Sequence, residues 1–220
     1  KNHVEELAHD FEYENQDTSK KFELFCNYCL VSKVFFGRFS PLVVTTDEDD
    51  ASIDGLAFII DGELITTADD ANEIFKTHKT NLPVDVIVTQ IKSGEQFKKE
   101  EIANFKIGLE DFLSLDPKLP NGRFNTEAIE ILKIIFANLK KVKNRRPSCH
   151  AFYCTSGVYN AEREIKASFD IIERYLNSTK EQFDDLYIDT PYNTIYIRSS
   201  RQIINDRDVL TENGIVIAET

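Results

Sequence analysis

The run Val84-Asp85-Val86-Ile87-Val88-Thr89-Gln90-Ile91-Lys92, closed by Ser93-Gly94, decides the fold of this chain. Its density of Val and Ile reads as a strand. Successive side chains of a strand point to opposite faces, so Gln90 and Lys92 share one face and Ile91 takes the other. A polar pair at the end of Val86-Ile87-Val88 is not what a core-filling strand would use. Upstream, Ile53 to Ile60 is apolar and partly β-branched, Asp61-Gly62 follows, and Glu63 to Thr67 is again extended. Asp-Gly between two such runs is a strong hairpin signal. Downstream, Cys149 to Thr155 reads as a further strand.

Helical spacing fills the intervals. Phe22, Phe25, Cys26, Cys29, Leu30 and Val34 recur at three- and four-residue steps over 20–36, with Gly37 as the stop. Glu100 to Leu115 carries Ile102, Phe105, Leu109 and Phe112 on one side. A helix starting at Thr126 has an apolar face through Ile129, Leu132, Ile135, Phe136, Leu139 and Val142, and Ala161 to Leu176 is another. Asp69 to His78 reads as a polar connection with one or two helical turns at most. Leu42 to Thr46 reads as a short extended piece, and Asp116 to Asn125, with two prolines and a glycine, as a loop. Short strand candidates follow at 186–188, 195–197 and 215–217.

Strands alternating with helices imply an α/β fold: a mixed β-sheet flanked by helices. The step from Val84–Lys92 to Cys149–Thr155 is a helical crossover, and such strands run parallel. The expected organisation is a flexible N-terminal segment over 1–19, an α/β core over 20–160, and a C-terminal α/β extension over 161–220.

Composition narrows the function classes. The 220 residues include 26 basic and 38 acidic side chains, a formal net charge of −12. Hydrophobic residues at 41% exclude wholesale disorder. No apolar run approaches the roughly 20 residues that span a bilayer, so no membrane partner is expected. No secretory signal is visible at the N-terminus, which points to the cytoplasm. The acidic balance argues against a non-specific nucleic-acid coat, although a nuclease site needs only local positive charge or a bound cation. Met is absent throughout, as in a processed or truncated chain or one recorded without modified methionines. The cysteines Cys26, Cys29, Cys149 and Cys154 are too few for a disulfide scaffold; buried thiols are favoured over a zinc site.

Asp54 stands at the mouth of an otherwise apolar strand. If that strand neighbours Val84–Lys92, its carboxylate meets the Gln90 amide and Lys92. The Asp54 carboxylate, the Gln90 carbonyl oxygen and the main-chain carbonyl of Ile91 are hard oxygen ligands suited to Mg²⁺ or Mn²⁺. Such a cation polarises a phosphodiester and lowers the pKa of a bound water, and Lys92 could orient that water or stabilise developing negative charge. Plainer readings stand beside this one. Asp54 before Gly55 could be turn chemistry, and Gln90 and Lys92 the solvent face of an edge strand.

The segments Asp50-Ala51-Ser52-Ile53-Asp54-Gly55 and Val88-Thr89-Gln90-Ile91-Lys92-Ser93-Gly94, with the hairpin between them, resemble the PD-(D/E)XK, restriction-endonuclease-like nucleases. They are most similar to the Mrr-like branch, in which Gln replaces the acid before x-Lys. Phe22-Glu23 matches the helix glutamate that often completes such sites. Gln96-Phe97 running on to Ile102-Ala103-Asn104-Phe105, and Ala151 to Gly157, resemble the N-terminal part of the abortive-infection phage-resistance (AIPR) family. The resemblance covers about 20–160. It implies a Mg²⁺- or Mn²⁺-dependent nuclease domain of bacterial anti-phage defence, with Asp54, Gln90, Lys92 and Glu23 as catalytic residues and Asp54, Gln90 and Ile91 holding the metal. It implies nucleic acid as partner, DNA before RNA, and a longer protein with further C-terminal residues; a homo-oligomer stays open. Two departures stand out. Ala51-Ser52 replaces a pair of glycines common in such proteins, and Gln90 is neutral, which weakens cation binding. The alternative is a nuclease-like module that binds or regulates without cleaving. Glu23 would then be an ordinary solvated helix residue.

The strongest basic cluster is Lys140, Lys141, Lys143, Arg145 and Arg146. It could touch a phosphate backbone, or simply answer the dipole of a helix C-terminus. The histidines show no ligand spacing, and neither G-x-x-x-x-G-K-[ST] nor G-x-S-x-G occurs.

Overall fold

A computed structural model describes residues 2–46, 51–77, 80–120, 122–160, 162–182 and 195–199. The Val- and Ile-rich run forms strand β3 (Val84–Lys92), the middle strand of a five-stranded mixed sheet. β1 (Gly55–Ile60) pairs antiparallel with both β3 and β2 (Glu63–Ile65). β4 (Ser148–Thr155) pairs parallel with β3 and with β5 (Ile195–Ser199), giving the order β2-β1-β3-β4-β5. The hairpin turns as its sequence requires: Asp61 and Gly62 both take positive φ, 54° and 83°, the backbone of a tight primed turn.

Period-two alternation divides the strands between two cores. Leu56, Phe58, Ile60, Val84, Val86, Val88, Ala151 and Tyr153 face one layer. Helices α3 (Ala68–Thr77), α4 (Lys99–Leu113), α5 (Arg123–Ala137) and α6 (Arg163–Gln182) cover it. Ala57, Ile59, Ile87, Ile91, Phe152 and Cys154 face the other, under α1 (Asn2–Asp10) and α2 (Thr18–Val31). Among the described residues no helix is long and apolar enough to cross a membrane.

Several elements depart from the sequence reading. Residues 2–10 form a helix that buries Leu7 and Ala8 against α2, with Tyr13 beyond it, where a flexible segment was expected. Within the expected polar connection from Asp69 to His78, the described residues through Thr77 belong to the nearly three-turn helix α3, anchored by Ala71, Ile74 and Phe75. Pro41–Val43 is a 3₁₀ turn, and only Thr45 bridges to Gly55. α5 stops at Ala137; Val142 continues its apolar spacing but belongs to a bridge with Leu82. The helix α6 and strand β5 of the C-terminal extension join the same sheet, while the strand candidates at 186–188 and 215–217 lie outside the described residues.

Candidate functional site

β1 begins where β3 ends, so Asp54 arrives beside the last residues of β3 through the antiparallel pairing of Gly55 with Thr89. Its main-chain N–H donates to Thr89 O at 2.8 Å. Beyond that pair the ladder needs an acceptor for the Ile91 N–H, and the Asp54 carboxylate supplies it, Oδ2 lying 2.6 Å from the nitrogen. The same oxygen accepts from Gln90 Nε2 and lies 3.8 Å from Lys92 Nζ. Asp54 is therefore both a cap of the strand pairing and the meeting point of Gln90 and Lys92. The edge-strand reading of that pair fails, because β3 is central and Gln90 is fully buried.

Glu23 completes the cluster from α2. It is not solvated: its side chain is 21% exposed, and Lys20 Nζ sits 2.7 Å from its Oε1. Burial, with the neighbouring Asp54 charge adding to it, pushes the Glu23 carboxyl up to about 7 against the pull of Lys20 and Lys92. Burial also raises Asp54, and Lys92, the Ile91 N–H and Gln90 only partly offset it. Both carboxyls bind a proton more tightly folded than unfolded, so their stability is full at low pH and is lost as pH rises, for Glu23 between about 4.5 and about 7. In cation-free buffer the unfolding free energy of the wild type should fall between pH 5 and 8 by up to about 3 kcal/mol more than that of Glu23→Gln, and its melting temperature correspondingly more steeply. Parallel slopes in thermal melts of the two proteins would refute the assignment.

Residues invisible in the sequence hold the cluster. Asn27 is fully buried on α2. Its Nδ2 donates to Thr45 Oγ1 (3.0 Å) and Asp54 O (2.8 Å), and its Oδ1 accepts from Thr89 Oγ1 (2.6 Å). These atoms lie over Gly55, where a methyl would sit 2.5 Å from both Asn27 Oδ1 and Thr89 Oγ1. Lys20 reaches past Glu23 to donate to Thr46 O at 2.7 Å. Across the sheet Tyr153 is in register with Gln90, and its hydroxyl donates to Glu101 at 3.3 Å.

The loop before Asp54 takes a backbone that favours glycine: Ala51 and Ser52 have φ of 51° and 64°. Left-handed backbone costs a non-glycine residue roughly 1–2 kcal/mol. The Ala51 carbonyl rests on Gly108 of α4, which has no room for a Cβ. Ala51→Gly should stabilise the protein by about 1 kcal/mol, read as a rise in the denaturation midpoint at unchanged slope; an unchanged midpoint would remove the strain argument.

A divalent cation fits this set on one observation above others. Gln90 Oε1 is buried and has no hydrogen-bond partner, an unmet acceptor that ordinarily costs about 1–3 kcal/mol. Ile91 offers main-chain oxygen only, its side chain being buried on the α2 face. Among the described residues no three His, Cys, Asp or Glu side chains gather as a metal site, so the oxygens at hand are the Asp54 and Glu23 carboxylates, one amide and main chain. Asp47 to Asp50 lie outside the described residues. The four cysteines are buried and none is in a disulfide, with Cys26 and Cys154 thiols 3.8 Å apart between α2 and β4.

The basic run lies elsewhere. Residues 140–146 follow the end of α5 instead of forming its last turn, which removes the helix-dipole explanation. Lys141 donates to Phe75 O and pins α3. Lys143 and Arg146 line a cleft with Val84 and Asp85 at the first residues of β3. Eight strand residues, roughly 25 Å, separate it from Lys92. Lys140 and Arg145 are exposed beside it. Compared with models of protein families, with curated proteins and with solved structures, the chain matches none.

Proposed function

We propose that this chain is a Mg²⁺- or Mn²⁺-dependent nuclease domain of the PD-(D/E)XK type, hydrolysing phosphodiester bonds of nucleic acid, DNA before RNA, in the manner expected of an AIPR-like anti-phage protein. The convergence of Asp54, Gln90 and Lys92 at one end of the central strands carries this reading, with Glu23 half-buried beside them. Asp54, the Gln90 carbonyl and the Ile91 carbonyl would hold the cation, which supplies Lewis-acid stabilisation of the phosphate's developing charge. Lys92, one-third exposed and fixed by Asp54, presents an ammonium to the scissile phosphate and to the attacking water. Glu23 is suited to serve as an auxiliary ligand of the cation or, with its proton affinity near neutrality, to orient that water or take its proton. Hydrolysis joins the water oxygen to phosphorus and breaks one ester P–O bond, the leaving oxygen taking a proton.

The basic cleft at the far end of β3 is too distant to serve the same phosphate, so it has no part in this step. Incubation with plasmid, linear and single-stranded DNA and with RNA, in Mg²⁺, Mn²⁺ or EDTA, tests the reading. Cleavage that requires the cation supports it. Its absence under every condition in the full-length protein would favour a binding or regulatory module.

A further inference from the structure

Lys20 occupies a position that helix electrostatics disfavours. It lies in the first turn of α2, which contains no acidic residue, and its own main-chain N–H is taken by the Asp17 cap at 2.9 Å. A helix N-terminus carries partial positive charge and repels a cation there. Yet the Lys20 side chain is only 28% exposed and is turned inward. Its ammonium holds Glu23 Oε1 and Thr46 O, each at 2.7 Å. Thr46 is itself tied to the loop carrying Asp54: its N–H donates to Asp54 O at 3.2 Å and its hydroxyl to Ile53 O at 2.6 Å. Two carboxyls, Glu23 and Asp54, thus face two ammoniums, Lys20 and Lys92, and with both carboxyls ionised the cluster is neutral without any added ion.

We propose that Lys20 is the built-in counter-cation of this site: it holds Glu23 against the Asp54 loop while no divalent cation is bound, and competes with that cation for the Glu23 carboxylate. The inference rests on the reading of Asp54, Gln90 and Lys92 as a cation-dependent site. It makes Lys20 a positioning residue that sets how much free cation the site requires. A neutral cluster has little attraction for a divalent ion, and at a pH where both carboxyls stay ionised removal of one ammonium leaves it with a net negative charge that attracts one. Lys92 would keep its place beside Asp54 in either state, since the two ammoniums contact different carboxylates.

The test is Mn²⁺ titration of the full chain by calorimetry, with thermal melts to establish folding. Lys20→Met should bind Mn²⁺ about tenfold more tightly than wild type, equivalent to about 1.4 kcal/mol. Lys20→Gln, which can still donate to Thr46 O without a charge, should do the same if the methionine variant misfolds. In a Glu23→Gln background the gain should shrink to less than threefold. A purely structural lysine predicts weaker or unchanged binding on its removal, and that result would overturn the proposal. Asp54→Asn separates the two levels. Binding that Asp54→Asn abolishes but the Lys20 variants leave untouched overturns the counter-cation role alone. Wild-type binding that is absent, or that survives Asp54→Asn, overturns the underlying reading and the proposal with it.

Discussion

Replacing Lys92 by alanine should lower cation-dependent cleavage about a thousandfold while leaving the fold in place. Positioned groups that stabilise transition-state charge or move a proton contribute about 10²–10⁴ in rate, and no other described ammonium stands on the Gln90 face of β3 beside Asp54. Lys20 is engaged with Glu23 and Thr46 on the α2 side. The stability cost should be small. Lys92 is one-third exposed and lies 3.8 Å from its partner, and loose, partly exposed pairs are worth about 0–1 kcal/mol. Arginine should not restore the rate, because a planar guanidinium places its donors differently from a compact ammonium. A variant that melts with the wild type but fails to cut establishes the Lys92 face as the active one. Equal cutting by both proteins would mean that the nuclease activity resides elsewhere or in a contaminant.

The largest stability effect is expected at Gly55. A methyl there meets Asn27 Oδ1 and Thr89 Oγ1, two atoms locked to each other by a buried hydrogen bond. Neither side chain is free to retreat. Asn27 is also held by Thr45 and by Asp54 O, and Thr89 lies in the middle of the sheet. Overpacking costs about 1–3 kcal/mol, and separating a buried hydrogen-bonded pair adds about 1–3 more. Gly55→Ala should therefore lose about 3 kcal/mol, or roughly 6–12 °C in melting temperature for a chain of this length. Gly94 is the control: nothing lies within 4 Å of a Cβ built there and its φ is not positive. Gly94→Ala should change stability by less than about 0.5 kcal/mol. Equal effects at the two glycines would show that the Asn27–Thr89 pair can move aside.

The parts of the fold legible in the sequence are those in which local pattern and tertiary role coincide. β3 declares itself by branched residues, and Asp61-Gly62 by the only backbone such a tight turn accepts. The nearness of Asp54, Gln90 and Lys92 was legible because these polar residues flank the apolar runs Leu56 to Ile60 and Val86 to Val88. α3 was not, since Ala71, Ile74 and Phe75 are its only buried anchors among polar neighbours. α1 is similar, held by Leu7 and Ala8 inside a charged stretch. Asn27 and Lys20 carry no signal of their own. A polar residue on a helix looks solvated until the loop packed against it is known. The basic run misleads for the opposite reason: Leu139 and Val142 keep a helical spacing that the chain abandons at Ala137.

One oxygen of Asp54 closes the β1–β3 ladder and also meets Lys92, so the proposed catalysis and the fold would depend on the same atom. This restricts how the site can decay over evolutionary time. A lineage released from selection for cleavage would still be under selection for an acceptor facing Ile91 and Gln90. Asparagine retains that acceptor through its carbonyl; alanine strands a buried main-chain N–H and a buried amide. Silent descendants of this domain should drift to asparagine at position 54 before any apolar residue, and an aspartate retained there is no certificate of activity.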